Sequence, residues 1–364
     1  MSITLRSAAL VGAAALIIAA CGSAPEDETE ETAAATDDAA AAEVDFQACM
    51  VSDAGGIDDR SFNASAWKGL QDAEAELGVS SKFVESQADT DYAPNINSLL
   101  QEDCGIIVTV GFLMGDATTE AATANPDQPF AIVDSGPEEP IDNLKPLFFD
   151  TAQAAYLAGY LAAGLTETGT VATFGGIPIP PVTVFMDGFV DGVAKHNEDK
   201  GTDVQVLGWD KESQNGSFTG DFEDQNKGKQ VTANFIQQGA DIILPVAGPV
   251  GLGAAAAAQE ADGVNQIWVD SDGVETAPDF AELFITSVLK RIDSSTFAAT
   301  EEALNEEFSN EIYVGTLENE GVGLAPYHEF EDVIPDELKS EVEALQEAII
   351  SGEIVVESQA SPSV

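Results

Sequence analysis

Apolar positions along this chain follow two alternating rhythms. Short β-branched or aromatic runs are separated by longer stretches in which apolar residues recur every three or four positions, an alternation that predicts parallel βαβ units. Phe46–Ser52 reads as a strand and Ser61–Leu77 as a helix, with Trp67, Leu70, Ala73 and Leu77 at helical spacing. Strands at Lys82–Ser86, Gly105–Val110, Pro129–Asp134 and Leu147–Asp150 follow, with helices Tyr92–Gln101 and Ala117–Ala124 between them. An Ala-rich helix, Ala152–Leu165, leads into strand Thr170–Phe174, the Gly-Pro cluster Gly175–Pro181 and helix Val182–Asn197. Strand Asp203–Trp209, helix Lys229–Gln238, strand Asp241–Val246, helix Gly251–Ala261 and strand Gln266–Asp270 complete this second run. After Asp270 the order changes: strand Leu283–Ser287 is expected to enter a helix Val288–Phe308 carrying Lys290, followed by Glu311–Thr316, a Gly-rich turn and helix Pro335–Ser351.

The pattern predicts an α/β protein of two lobes, each a doubly wound parallel sheet flanked by helices. Residues 44–150 plus 271–320 are assigned to the first lobe and 151–270 plus 321–364 to the second. A cleft between such lobes faces the carboxyl ends of strands, where ligands settle.

The beginning of the chain obeys neither rhythm. Arg6 precedes an uncharged apolar run from Ser7 to Ala20, too short to span a bilayer and suited to a signal peptide over residues 1–20. It ends Ile18-Ala19-Ala20-Cys21-Gly22, which resembles the lipobox of bacterial lipoproteins and implies lipid attachment at Cys21. Residues 21–43 carry acids and no hydrophobic period, as in a self-repelling disordered tether. The expected location is therefore outside the cell membrane, anchored to its outer face through Cys21.

Charge sharpens this reading. The 364 residues hold 65 Asp and Glu against 13 Lys and Arg, a formal charge of −52, at an ordinary 44% hydrophobic content. Only eight of those acids lie between Cys21 and Glu43, so the charge belongs mainly to the folded body. Such a polyanion is repelled by phosphate backbones, which excludes direct nucleic-acid binding. So acidic a surface suggests a saline habitat, where salt screens self-repulsion. With Cys21 taken by lipid, Cys49 and Cys104 remain as an even pair in an oxidising compartment. Neighbouring parallel strands bring them within bridging range, and a disulfide is expected, with two buried thiols as the alternative.

Candidate chemistry sits just after the strands. Asp53-Ala54-Gly55-Gly56-Ile57-Asp58-Asp59-Arg60-Ser61-Phe62-Asn63 combines a glycine turn, Asp59 or Ser61 as helix cap, and an acid, an aromatic ring and a carboxamide in one place. Asp53 can accept hydroxyls, Phe62 can stack on a flat ring, and Asn63 can donate and accept; the same spacing also suits a capped turn with Phe62 in the core. The loop Pro245 to Gly253 allows close backbone approach at a helix start, but it lacks the Gly-Lys-Ser/Thr ending of a phosphate loop. Asp270 ends a strand, and Lys290 is one of few bases, readable either as a cation beside cleft carboxylates or as a surface lysine. His196 and His328 are the only histidines, neither in zinc spacing, and no Gly-x-Ser-x-Gly elbow occurs. No metal, cofactor or catalytic residue is assigned; a binding protein is the simpler account.

Several segments in order resemble one family. Asp53 to Asn63, Ala155-Tyr-Leu-Ala-Gly-Tyr-Leu-Ala-Ala-Gly164, Phe185-Met-Asp-Gly-Phe-Val-Asp-Gly-Val193, Gly248 to Gly253, Val269-Asp270 and Thr286 to Lys290 are similar to the basic-membrane-protein family of ABC-importer receptor lipoproteins. The resemblance covers about Val44 to Tyr327. It implies a type I periplasmic-binding-protein fold and a nucleoside, of purine type, held between two aromatic rings and passed by a monomer to an ABC permease. It further implies Asp53 as a ribose-side acid, Phe62 as one ring, Asn63 as a base-edge contact, Asp270 and Lys290 as the ribose-binding pair, and Gly248 and Gly251 as close-approach glycines. The second ring is expected at Phe218, with Phe222 as runner-up, and Asp134 as a base-facing acid. A sugar or other small solute on the same fold, and a nucleoside hydrolase or phosphorylase, are the competing readings.

Overall fold

A computed structural model describes residues 44–362; the expected signal peptide, Cys21 and the acidic stretch to residue 43 lie outside the described residues. Within them the βαβ pattern resolves into two six-stranded sheets. The first runs, in spatial order, Tyr313–Gly315, Leu144–Phe149, Phe130–Val133, Ile106–Val110, Gln47–Ser52, Ser80–Glu85, all parallel. The second runs Val322–Leu324, Phe284–Lys290, Asn265–Asp270, Ile242–Val246, Thr170–Gly175, Gln205–Leu207, parallel except for its first strand. Their interior strands are apolar runs buried on both faces, as parallel sheets between helices require.

The Ala- and Gly-rich character of the middle of the chain has a packing cause. Helix Thr151–Leu165 buries twelve of its 15 residues against helix Pro180–Lys200, and the two backbones almost touch. A Cβ on Gly159 would lie 2.1 Å from the carbonyl oxygen of Phe189, and one on Gly192 only 1.9 Å from that of Tyr156. Any larger residue at either position forces the helices apart, so the motif Ala155 to Gly164 serves interhelical contact rather than ligand binding.

Two expectations are corrected. The sequence pattern predicts a helix at Val288-Leu289-Lys290, but Phe284–Lys290 is one strand, and the helix is Ile292–Leu304. A short apolar run has no period long enough to separate the two readings; pairing with Asn265–Asp270 on one side and Val322–Leu324 on the other makes it a strand. The pattern predicts a return to the first lobe at 271, yet residues 273–290 build and flank the second sheet. The chain crosses only after Lys290, when Ile292–Leu304 packs on helix Phe62–Leu77, with Thr296 Oγ1 donating to the Ala66 carbonyl at 3.2 Å. Cys49 and Cys104 are bridged, with Cα atoms 5.9 Å apart.

Candidate functional site

The strand ends of both sheets face a chamber with about 600 Å³ of empty space, its open mouth included. Its first wall grows from the turn after Gln47–Ser52. Gly55 (φ 118°) and Gly56 (φ 69°) take conformations that side chains resist, and the chain then starts helix Phe62–Leu77. Asp59 caps that helix, accepting the backbone N–H groups of Ser61, Asn63 and Ala64 at 3.0, 2.7 and 2.9 Å. Ser61, the other capping candidate, instead donates its hydroxyl to Asp270 of the second sheet. Capping fixes the direction in which Phe62 and Asn63 enter the chamber.

Asn63 is 1% exposed, and its Nδ2 donates to Asp53 Oδ1 at 2.8 Å. Its Oδ1 is buried without a protein partner, an acceptor that costs stability until something donates to it. Asp53 remains partly open to solvent, yet burial pushes its carboxyl up to about 8, against the Asn63 hydrogen bond and with help from the negative charges of Asp59 and Asp134. Burial also lifts Asp59, to about 6.

Two further acids come from equivalent places. Asp134 follows strand Phe130–Val133, Asp270 ends Asn265–Asp270, and both hold left-handed backbone, φ 65° and 67°. Each strand is fourth in chain order within its own sheet. A left-handed non-glycine residue at a strand end is a strained feature of the kind that clusters at binding sites. Lys290 lies between them, 2% exposed. Its ammonium pairs with Asp134 and stands 4.9 Å from the Phe62 ring centre and 5.2 Å from that of Phe149, where ring faces add cation–π attraction. Burial raises the carboxyls of Asp134 and Asp270, and the Lys290 charge opposes this in both. Among the described residues one cation thus faces four acidic side chains, a chamber suited to neutral or cationic ligands with hydroxyls to donate.

The opposite wall is mostly apolar, with Phe185, Phe222, Pro181 and Val246. Gly248 lines it with φ 52° and open space where a Cβ would stand, exposing backbone to the chamber. Gly251 does not line it: a Cβ there would come 2.9 Å from the Trp268 ring, so this glycine serves helix–strand packing. Phe218 does not line it either. Its ring packs edge-on against Trp209 at 5.9 Å, and Phe222, the runner-up, holds the chamber position. Seven of the nine expected contacts therefore converge: Asp53, Phe62, Asn63, Asp134, Gly248, Asp270 and Lys290.

Two lining residues went unnoticed in the sequence. Phe112 follows strand Ile106–Val110 by two positions and was visible to the same rule that found Asp53. Phe185 lies inside a quoted motif but gave no sign of which helix face it occupies. Phe112, Asp134 and Pro181 also border a second cavity, which residues 359–362 help to line.

The family model described as "ABC transporter substrate-binding protein PnrA-like" matches residues 46–360. The chain belongs to this family. It is a substrate-binding protein of an ABC transporter and not an enzyme, and a solute and a permease are its partners. It is similar to the "CD4+ T-cell-stimulating antigen" of Listeria monocytogenes, at 31% identity over 86% of this chain and 88% of that protein. It is also similar to the "ABC transporter nucleoside-binding protein BmpA" of Lactococcus lactis, at 31% identity over 87% and 90%. The crystal structure of an ABC transporter solute-binding protein from Aeropyrum pernix superposes with a TM-score of 0.78 at 27% identity, covering 86% of this chain and 94% of that one. As a PnrA-like protein it has the type I periplasmic-binding-protein fold. Among the described residues no helix is long and apolar enough to cross a membrane.

Proposed function

We propose that this receptor captures a nucleoside, of purine type, between Phe62 of the first lobe and Phe222 of the second, and delivers it to an ABC importer. The observation that carries the reading is a chamber with an aromatic ring on each wall and, beside Phe62, a buried carboxamide oxygen awaiting a donor. Asn63 Oδ1 meets the edge of the base, and Asp53, expected on the ribose side, joins it there because Asn63 Nδ2 donates to its Oδ1 at 2.8 Å. Asp270, Lys290 and the Gly248 backbone take the ribose hydroxyls, and Asp134 holds Lys290 in place. Each base–aromatic contact contributes about 1–3 kcal/mol by analogy with single-strand binding, and charge-assisted hydrogen bonds to the sugar bring micromolar affinity within reach. The nucleoside-binding relative from Lactococcus supports the ligand class.

Isothermal titration with inosine, guanosine, adenosine, cytidine and uridine tests this. Purine nucleosides are expected to bind most tightly; absence of heat with all five, or equal binding of free ribose, overturns it. Recovery of intact inosine after incubation separates a receptor from a nucleoside-cleaving enzyme. We further propose that the protein is a monomer held to the outer face of the cell membrane by lipid on Cys21. Cys21→Ser is then expected to move it from the membrane fraction to the soluble one, and an unchanged distribution refutes the anchor.

A further inference from the structure

The segment Phe185 to Val193 contains a carboxylate that the chamber does not use. Asp187 sits on helix Pro180–Lys200, is 0% exposed and does not line the cavity. Burying a carboxylate is costly unless donors surround it. The nearby ammonium of Lys211 pairs with Asp191 instead, and Asp187 is met by three neutral donors. Trp209 Nε1 donates to its Oδ1 at 2.8 Å, Gln214 Nε2 to the same oxygen at 3.0 Å, and Ser358 Oγ to Oδ2 at 2.7 Å. These donors come from three places in the sequence, two around the short hairpin Trp209–Asp210 with Asn215–Gly216 and one near the end of the described chain. Gln214 occupies left-handed backbone at the hairpin tip, φ 51°, and its hydrogen bond to Asp187 compensates that strain.

What the hairpin carries explains why the anchor matters. The chain leaves it directly into Phe218, whose ring rests on Trp209, and residues 217–220 are stitched to the end of strand Thr170–Gly175. Thr219 N donates to the Gly175 carbonyl at 3.1 Å and Gly220 N to that of Gly176 at 2.8 Å. Phe222 then lies flush on Gly176, where a Cβ would come 2.2 Å from its ring. The ring is thus held from below by glycine backbone and from one side by a segment whose other end is tied to Asp187.

We propose that Asp187 is a positioning residue: its carboxylate gathers Trp209, Gln214 and Ser358 and so fixes the segment that presents Phe222 to the ligand chamber. Its effect on affinity rests on the nucleoside reading, whereas its effect on the segment does not.

Amide hydrogen exchange of the ligand-free, full-length exported protein tests the second effect directly. Asp187→Asn keeps the shape but removes one acceptor oxygen, and should speed exchange across residues 209–222 by about fivefold or more, with helix Phe62–Leu77 unchanged. Ser358→Ala withdraws one donor and should give a smaller change at the same residues, so the test survives if the first variant does not fold. Unchanged exchange at 209–222 in the folded variants overturns the proposal. With guanosine as probe, Asp187→Asn should weaken binding about tenfold, and a Phe222→Ala background should abolish that difference. Additive losses would indicate a merely structural carboxylate and overturn the positioning role. If the wild-type protein binds no nucleoside, the functional reading falls and exchange alone decides Asp187.

Discussion

The two lobes share one scaffold and furnish it differently. Both sheets place their strands in the same order by chain position, and in both the fourth strand delivers a left-handed aspartate, Asp134 or Asp270, to the chamber. The first lobe adds Asp53, Asp59, Asn63 and Phe62 from a single glycine turn. The second adds exposed backbone at Gly248, an apolar wall and, alone among the described residues that line the chamber, a cation, Lys290. The first lobe also carries a disulfide, Cys49 to Cys104. Strand ends are thus generic ligand positions, and chemistry is decided by which residue follows each strand. The first lobe lines the chamber with more hydrogen-bonding side chains, the second with more apolar surface and one charge.

Removing that charge should give the largest effect. Lys290→Met leaves Asp134 and Asp270 without their cation, and a broken buried pair typically costs about 3–5 kcal/mol. Urea unfolding should show the loss, smaller at pH 5 than at pH 8, because burial raises the Asp134 carboxyl and acid lessens the cost of its unpaired charge. An equal loss at both pH values would mean that the pair is not coupled to protonation.

The disulfide comes next. It joins residues 55 apart in sequence, for which the chain-entropy model gives up to about 4 kcal/mol. Cys49→Ala with Cys104→Ala should destabilise the protein while leaving nucleoside affinity within about twofold, since neither residue approaches the chamber. A large loss of affinity would show that the first lobe's site depends on its crosslink.

Aromatic truncation compares the lobes directly. Phe62→Ala and Phe222→Ala should each weaken binding by about 1–3 kcal/mol in titration calorimetry, and Phe222→Ala by more than Phe218→Ala. Equal effects of Phe218 and Phe222 would return the second ring to doubt.

The remaining effect is one of pH dependence and concerns Asp53. Its folded carboxyl titrates near 8, above the ordinary 3.8, because it is buried, so the native state holds this proton more tightly than the unfolded chain. That contribution is complete below about pH 4 and is lost as pH rises towards about 8, with a slope of at most about 1.4 kcal/mol per pH unit. Asp53→Asn should flatten the pH dependence of ligand-free stability over that window. A variant whose profile matches the wild type would mean that Asp53 is ionised throughout.

Much of this site was legible because its rule is local. A residue just beyond a strand faces the cleft, and that rule with the family resemblance picks out Asp53, Asp134, Gly248 and Asp270 without coordinates. Phe62 and Asn63 follow once the helix start is known, although the choice of Asp59 over Ser61 as its cap was open. Lys290 stands out by the rarity of bases, but its strand is not legible, because Val288-Leu289-Lys290 has too few residues to show a period. Phe218 and Phe222 were four residues apart in an irregular segment, where no periodicity states which ring turns inward.

The sequence by itself determined the class of fold, the two-lobed plan, the cysteine pair and the strand ends at which ligand contacts collect, since these depend on local rhythm and local capping. Only the tertiary structure decided where the chain crosses between lobes, that Gly251 and the Ala-Gly helix serve packing, that Phe222 rather than Phe218 meets the chamber, and that Asp187 joins Trp209, Gln214 and Ser358. Those outcomes depend on which surfaces meet across large sequence separations. Hydrogen bonds such as that from Ser358 to Asp187, 171 residues apart, leave no periodic trace in either partner's neighbourhood.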